Sequence, residues 1–226
     1  IEDLAAFLGG LGARVTGAGT STVIVEGARA LHGTEHSVIP DRVEAGTFLL
    51  AAAATRGDVR LIGVRARDLE QVLDAARRSG ARITALPEGL RVRGPRRPKP
   101  VDVRTAPHPG FATDLQAPWM AYMSLAEGRS KIRESVFENR YMHAAELARM
   151  GARIQTNGEL AIIDGVPELA GAPIMASDIR AGAALVVAAL AAKGQTIIQR
   201  VYHIDRGYEA IEKKLRALGA RIRRAS

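Results

Sequence analysis

One short phrase recurs four times along the 226 residues: Gly12-Ala13-Arg14-Val15, Gly80-Ala81-Arg82-Ile83, Gly151-Ala152-Arg153-Ile154 and Gly219-Ala220-Arg221-Ile222. Its glycines stand 68, 71 and 68 residues apart. Each phrase follows an apolar-periodic stretch and precedes an alternating one. The glycine therefore reads as a helix stop in the left-handed region, where a side chain would be strained. A second marker keeps the same frame. Asp41, Asp114 and Asp178 each precede an Ala-rich apolar helix that ends near a glycine, Gly57, Gly128 or Gly194. Strand-like runs follow at 59–62, 130–133 and 195–198. With a strand leading to each aspartate, one period is a β-α-β-α-β-β unit. Two helices and four strands are too much for a solenoid repeat, so the period predicts a pseudo-symmetric α/β domain.

The phase of the repeat sets the expected domains. Residues 1 to about 37 supply only the last helix and hairpin of a unit, with strands at 15–17 and 23–26, joined by a turn at Gly17-Ala18-Gly19. Three units follow, and the last stops at 221–226, read as a strand without its hairpin partner. The expected domains are 1–38, the incomplete C-terminal end of a first, and 39–226, a second that lacks a final strand. An open edge of that kind calls for a partner segment. The chain also opens inside helical spacing, with apolar residues at 1, 4, 5, 8 and 11 and no cap ahead of them, which reads as part of something longer.

Composition narrows the classes. Hydrophobic residues are 47% and charged residues 25%, which excludes a disordered or collagen-like chain. The longest apolar run, 181–192, is shorter than the roughly 20 residues a membrane-spanning helix needs. With no cysteine there is no disulfide framework, no Cys-type zinc site and no thiol nucleophile in these residues, and a cytoplasmic location is expected. The five histidines lack metal-ligand spacing, so no metal is expected. The net charge of +8 comes mostly from arginine, and the stretch at 91–99 (RVRGPRRPK) is the obvious candidate for a nucleic-acid contact. That run reads as an extended proline-broken connector, and aromatics at 4% do not interleave with the bases as in strand-stacking proteins. The arginine excess suits small anionic substrates better than nucleic acid.

Three segments are too specific for scaffolding: VRTAPHPGFATDLQ at 103–116, ESVFENRYMH at 134–143, and MASDIR at 175–180 with YHIDRGY at 202–208. Together with Pro40-Asp41-Arg42 they resemble, in order and along nearly the whole chain, the UDP-N-acetylglucosamine 1-carboxyvinyltransferase family of enolpyruvyl transferases. The resemblance implies the inverted α/β barrel of that family, built from repeated β-α-β-α-β-β units, here three units plus the end of a fourth. It also implies the reaction, transfer of the enolpyruvyl group of phosphoenolpyruvate to the 3-hydroxyl of UDP-N-acetylglucosamine with release of phosphate, the first committed step of peptidoglycan precursor synthesis. No cofactor is implied. The N-terminal half of the same protein is the implied partner, because it carries the proton donor and most nucleotide-sugar contacts. The isolated chain is therefore expected to be inactive, and neither nucleic acid nor membrane is an expected partner.

The resemblance also implies residue roles. Asp114 takes the proton of the sugar hydroxyl and binds the sugar nucleotide, whereas capping preference alone would make it a helix cap like Asp41 and Asp178. Val136 is the uridine-side contact, although two adjacent apolar residues, Val136 and Phe137, would ordinarily read as core. Arg180 and Arg206 bind phosphoenolpyruvate, whose phosphate and carboxylate suit the guanidinium fork. Asp178 and Asp205 stand close enough in sequence to orient them, and a cation in a helix's first turn opposes the dipole, which favours a functional reason for both arginines. Asp41, Phe137, Glu138 and Asp178 are supporting candidates. The sequence departs from the family pattern at Ala112, Pro118 and Gly182. Two alternatives stay open: transfer to shikimate 3-phosphate, and a noncatalytic binding module of the same fold.

Overall fold

All four glycines of the recurring phrase are left-handed in the computed structural model, which describes residues 1–225: φ is 96° at Gly12, 102° at Gly80, 92° at Gly151 and 98° at Gly219. The hydrogen bonds repeat as well. Gly80 and Gly151 donate to the carbonyls of Arg77 and Ala148, and the alanines after them donate to Ala76 and Leu147. The same pair of bonds closes the helices before Gly12 and Gly219. Each helix ends in a closure that satisfies its last carbonyls and turns the chain into the next strand.

Ile1–Pro40 is one compact unit. It holds α1 (Glu2–Gly10) and an antiparallel hairpin of β1 (Arg14–Thr16) and β2 (Ile24–Glu26), joined through left-handed Gly17 and Gly19. No side chain in it is buried. α1 starts at Ile1 without a side-chain cap.

The second unit, from Asp41 onward, contains the three repeats. The first supplies α2 (Arg42–Ala54), β3 (Asp58–Ile62), α3 (Glu70–Arg78), β4 (Arg82–Leu86) and β5 (Gly89–Arg93). The second supplies β6 (Val103–Arg104), α4 (Gln116–Met123), β7 (Arg129–Arg133), α5 (His143–Arg149), β8 (Arg153–Asn157) and β9 (Leu160–Asp164), the complete β-α-β-α-β-β pattern. The third supplies β10 (Pro173–Met175), α6 (Ile179–Ala191), β11 (Ile197–Gln199), α7 (Tyr202–Asp205) and α8 (Ile211–Ala217). The sheets are β3-β5-β4, antiparallel; β6-β7-β9-β8, with β6 parallel to β7; and the parallel pair β10-β11.

The helices lead the packing. α2, α4 and α6 pack on one another at the centre, and every residue of α4 is buried, Trp119, Met120, Tyr122 and Met123 completely. Each such side chain contributes about 1.5–3 kcal/mol of transfer free energy. The strands lie outside this helical centre and alternate, β7 burying Ser130 and Ile132 while exposing Arg129, Lys131 and Arg133. Helices inside and sheets outside is the inverted arrangement. It follows from Ala-rich helices that are apolar all round beside strands that are apolar on one face. Pro118 sits in the first turn of α4, where its missing N–H costs nothing.

Several expected elements differ. No strand precedes Asp41: residues 31–40 join no ladder, and the contacts they make are of other kinds, such as the His32 N–H on the Leu11 carbonyl and the His36 imidazole on Asp3. Residues 221–225 are not a strand either: a strand exists only through a ladder, and among the described residues none pairs with them. Arg224 there instead engages Asp205 and Glu212. The expected helix after β11 is two short helices broken at left-handed Ala210. The basic run at 91–99 is partly strand, with Arg91 and Arg93 paired to Asp58 and Arg97 donating to the carbonyls of Leu125 and Ala126. No helix among the described residues is long and apolar enough to cross a membrane.

Candidate active site

Asp41 and Asp178 are helix caps. Asp41 accepts the N–H groups of Val43 and Glu44 at the start of α2, and Asp178 accepts those of Arg180 and Ala181 at the start of α6. Asp114, their counterpart in the second repeat, caps nothing, unlike what capping preference alone would give it. It lies in a single 3₁₀ turn, Thr113–Leu115, so that the residue at the cap of α4 is Leu115 and not the aspartate. The side chain is 32% exposed and is held by two arginines on one oxygen: Arg140 donates to Oδ1 at 3.1 Å, and Arg180 donates to the same oxygen through Nε. Elements of two repeats thus converge on one carboxylate: the 3₁₀ turn and the loop after β7 from the second, and the first turn of α6 from the third.

Arg140 is anchored further. Its Nη1 donates to Thr113 Oγ1 at 2.9 Å, and its guanidinium stacks 4.5 Å from the centre of the Phe137 ring. Phe137 is 56% exposed and Val136 half-buried, so the two are not core. Behind them lies Glu134, 1% exposed, whose carboxylate accepts the hydroxyls of Thr105 and Thr113, each at 2.8 Å, and the N–H groups of Val136 and Phe137. Glu138 is exposed at the outer turn of this loop, next to left-handed Asn139.

The two anion-binding candidates differ. Arg180 lies in the first turn of α6, against the dipole, and faces Asp114. Arg206 is exposed at the C-terminal end of α7, where a cation suits the dipole, and it forms no ion pair among the described residues. The dipole argument therefore holds for Arg180 alone. Nor do the expected aspartates orient the guanidinium groups. Asp178 contacts only the backbone of Arg180, and Asp205 is taken by Arg224.

Three site residues escaped the sequence reading: Arg140, Thr113 and Glu134. One signal was present for Glu134. The alternation of β7, with Ser130 and Ile132 inward, carries on to place residue 134 inward too, and a carboxylate there demands organised donors. His143 is buried beside this cluster, and burial pushes its imidazole down to about 4, with Asp178 opposing and Arg140 adding to the shift. Among the described residues, no three His, Asp or Glu side chains are placed to hold a metal ion.

A family model for EPSP synthase (3-phosphoshikimate 1-carboxyvinyltransferase) matches residues 1–215. The chain is 56% identical over 224 residues to a UDP-N-acetylglucosamine 1-carboxyvinyltransferase of Anaeromyxobacter sp. (strain Fw109-5) and 55% identical over 225 residues to that of Methylorubrum populi. Each match covers 99% of this chain, and 53% and 52% of the two relatives, so the chain spans about half the length of the curated relatives it matches. The crystal structure of the enolpyruvyl transferase NikO from Streptomyces tendae superposes with a TM-score of 0.87 at 29% identity, over 99% of this chain and 53% of that one. EPSP synthase from Acinetobacter baumannii shares the fold, with a TM-score of 0.76 at 20% identity, over 97% of this chain and 54% of that one. With a family match over nearly its whole length, and with the helix-centred repeats that its structural neighbours share, the chain belongs to the EPSP synthase family of enolpyruvyl transferases.

Proposed function

We propose that the protein carrying this chain transfers the enolpyruvyl group of phosphoenolpyruvate to the 3-hydroxyl of UDP-N-acetylglucosamine, supplying the peptidoglycan precursor pathway from the cytoplasm. The observation that carries the reading is Asp114. Alone among the three repeat aspartates it is free of capping duty, and it is presented between Arg140 and Arg180. A carboxylate at hydrogen-bond range of the sugar hydroxyl takes its proton as the oxygen adds to C2 of the enolpyruvyl group, while C3 gains a proton from a donor outside these residues. The tetrahedral adduct then loses a proton from C3 and expels phosphate. Arg180 and Arg206 hold the phosphate and carboxylate of phosphoenolpyruvate, and Arg180 exchanges its contact with Asp114 for that anion. Val136 lines the uridine side, with Phe137 and Glu138 beside it. Asp41 and Asp178 support the site by capping the helices that border it.

On this reading residues 1–38 close a first domain, and 39–226 are most of a second. The partner of both is the complementary half of the protein, without which the chain is inactive. Transfer to shikimate 3-phosphate is the second reading, favoured by the name of the matching family model. The relatives at 54–56% identity favour the sugar nucleotide.

Phosphate release from phosphoenolpyruvate separates the two. With the full-length protein, release is expected with UDP-N-acetylglucosamine and not with shikimate 3-phosphate. Asp114→Asn is expected to lower kcat by about 10²–10⁴-fold. Release with shikimate 3-phosphate alone, or an unaltered kcat in D114N, overturns the proposal.

A further inference from the structure

We propose that Glu134 is a positioning residue for Asp114. It rests on the functional reading above and adds to it the device that aims the base. Glu134 follows β7 at an inward-facing place, 1% exposed, where an ionised carboxylate is costly unless its lone pairs are filled. Its two oxygens face different parts of the site. Oε1 accepts the Thr105 hydroxyl and the N–H groups of Val136 at 3.0 Å and Phe137 at 3.2 Å, fixing the loop that carries both residues. Oε2 accepts the Thr113 hydroxyl at 2.8 Å.

That last bond sets a direction. A hydroxyl has one proton, and Thr113 spends it on Glu134, so its oxygen can meet Arg140 only as an acceptor. Arg140 has a rigid planar fork. With Nη1 held by Thr113 at 2.9 Å, Nη2 is aimed at Asp114 Oδ1, at 3.1 Å. The relay Glu134–Thr113–Arg140–Asp114 is thus polarised from a buried acceptor outward, and Thr113 is also the covalent neighbour of Asp114. The Phe137 ring beneath the Arg140 guanidinium ties the same fork to the loop that Oε1 fixes. Sugar-side contact and base are therefore set by one carboxylate.

Glu134→Gln separates the two arms. Its amide oxygen can still serve the loop N–H groups, but its amide NH2 then faces Thr113 and donates to the hydroxyl oxygen in competition with Arg140. In the full-length protein, E134Q is expected to lower kcat about 10–100-fold, as a small misplacement of a reacting group does, with KM for UDP-N-acetylglucosamine changed less than about threefold. Thr113→Val removes the same link and is expected to match it. The double variant is expected to be no slower than the slower single, because both break one relay. Where E134Q does not fold, the T113V loss of kcat decides. An unaltered kcat in a folded E134Q or T113V, or losses that multiply in the double variant, overturns the positioning role while leaving the functional reading intact. A wild-type protein that transfers nothing to UDP-N-acetylglucosamine overturns both.

Discussion

Asp41, Asp114 and Asp178 hold the same place in successive repeats, yet their carboxylates meet different neighbours, and the effects expected of replacing them divide accordingly. Asp41→Ala and Asp178→Ala each remove a cap and are expected to lower the unfolding free energy by about 1 kcal/mol, read from the urea midpoint, with Asp114→Ala costing well below that. Burial pulls the Asp178 carboxyl up, but the N–H groups of Ala181 and Arg180, the Ser177 hydroxyl and His143 outweigh it, so it sits below the usual carboxylate range. Its contribution is present above the unfolded pKa and is lost as pH falls through the folded one. His143 has a wider window. Buried and held neutral down to about 4, against 6.5 when exposed, it contributes fully above 6.5 and loses that contribution as pH falls toward 4. The shift corresponds to about 3 kcal/mol. The difference in stability between wild type and His143→Phe is expected to change by about that much between pH 7 and pH 4, and an unchanging difference would refute the assignment.

At the scale of elements, the recurring glycine is the sharpest test. A Cβ at Gly151 would meet nothing within 4 Å, so Gly151→Ala introduces only the backbone strain of φ 92°. It is expected to destabilise by about 1–2 kcal/mol in chemical denaturation, without loss of packing. Helix stops, two of the three caps and the strands β3 and β7 were legible from the sequence because each depends on neighbours within a few residues. The expected strand at 221–226 fails because a strand needs a pairing segment and none of the described residues pairs with 221–225, and its last residue lies outside the described residues. The break at Ala210 was not legible. It puts Arg206 at the end of a short helix rather than in the first turn of a longer one.

At the scale of the second unit, the central helices couple packing to the site. A Cβ on Gly46 in α2 would lie 2.4 Å from Leu115 Cδ1, and Leu115 adjoins Asp114. Gly46→Ala is therefore expected to cost about 1–3 kcal/mol and also to lower kcat, measured by denaturation and phosphate release on the same preparation. The departure at Gly182 has the same origin. A side chain there would come within 2.4 Å of Ile204 Cγ1, so the glycine fits the way α6 meets α7. What residue order alone determined was the repeat, its stops and caps, and Asp114 with Arg180 as candidates, because these follow from local backbone preference and from motifs read along the chain. Only the tertiary structure decided which aspartate escapes capping, that Arg140 and Arg180 meet on it, and that Glu134 stands behind both. Those facts depend on groups distant in sequence filling one another's hydrogen bonds, and no local pattern encodes that distance.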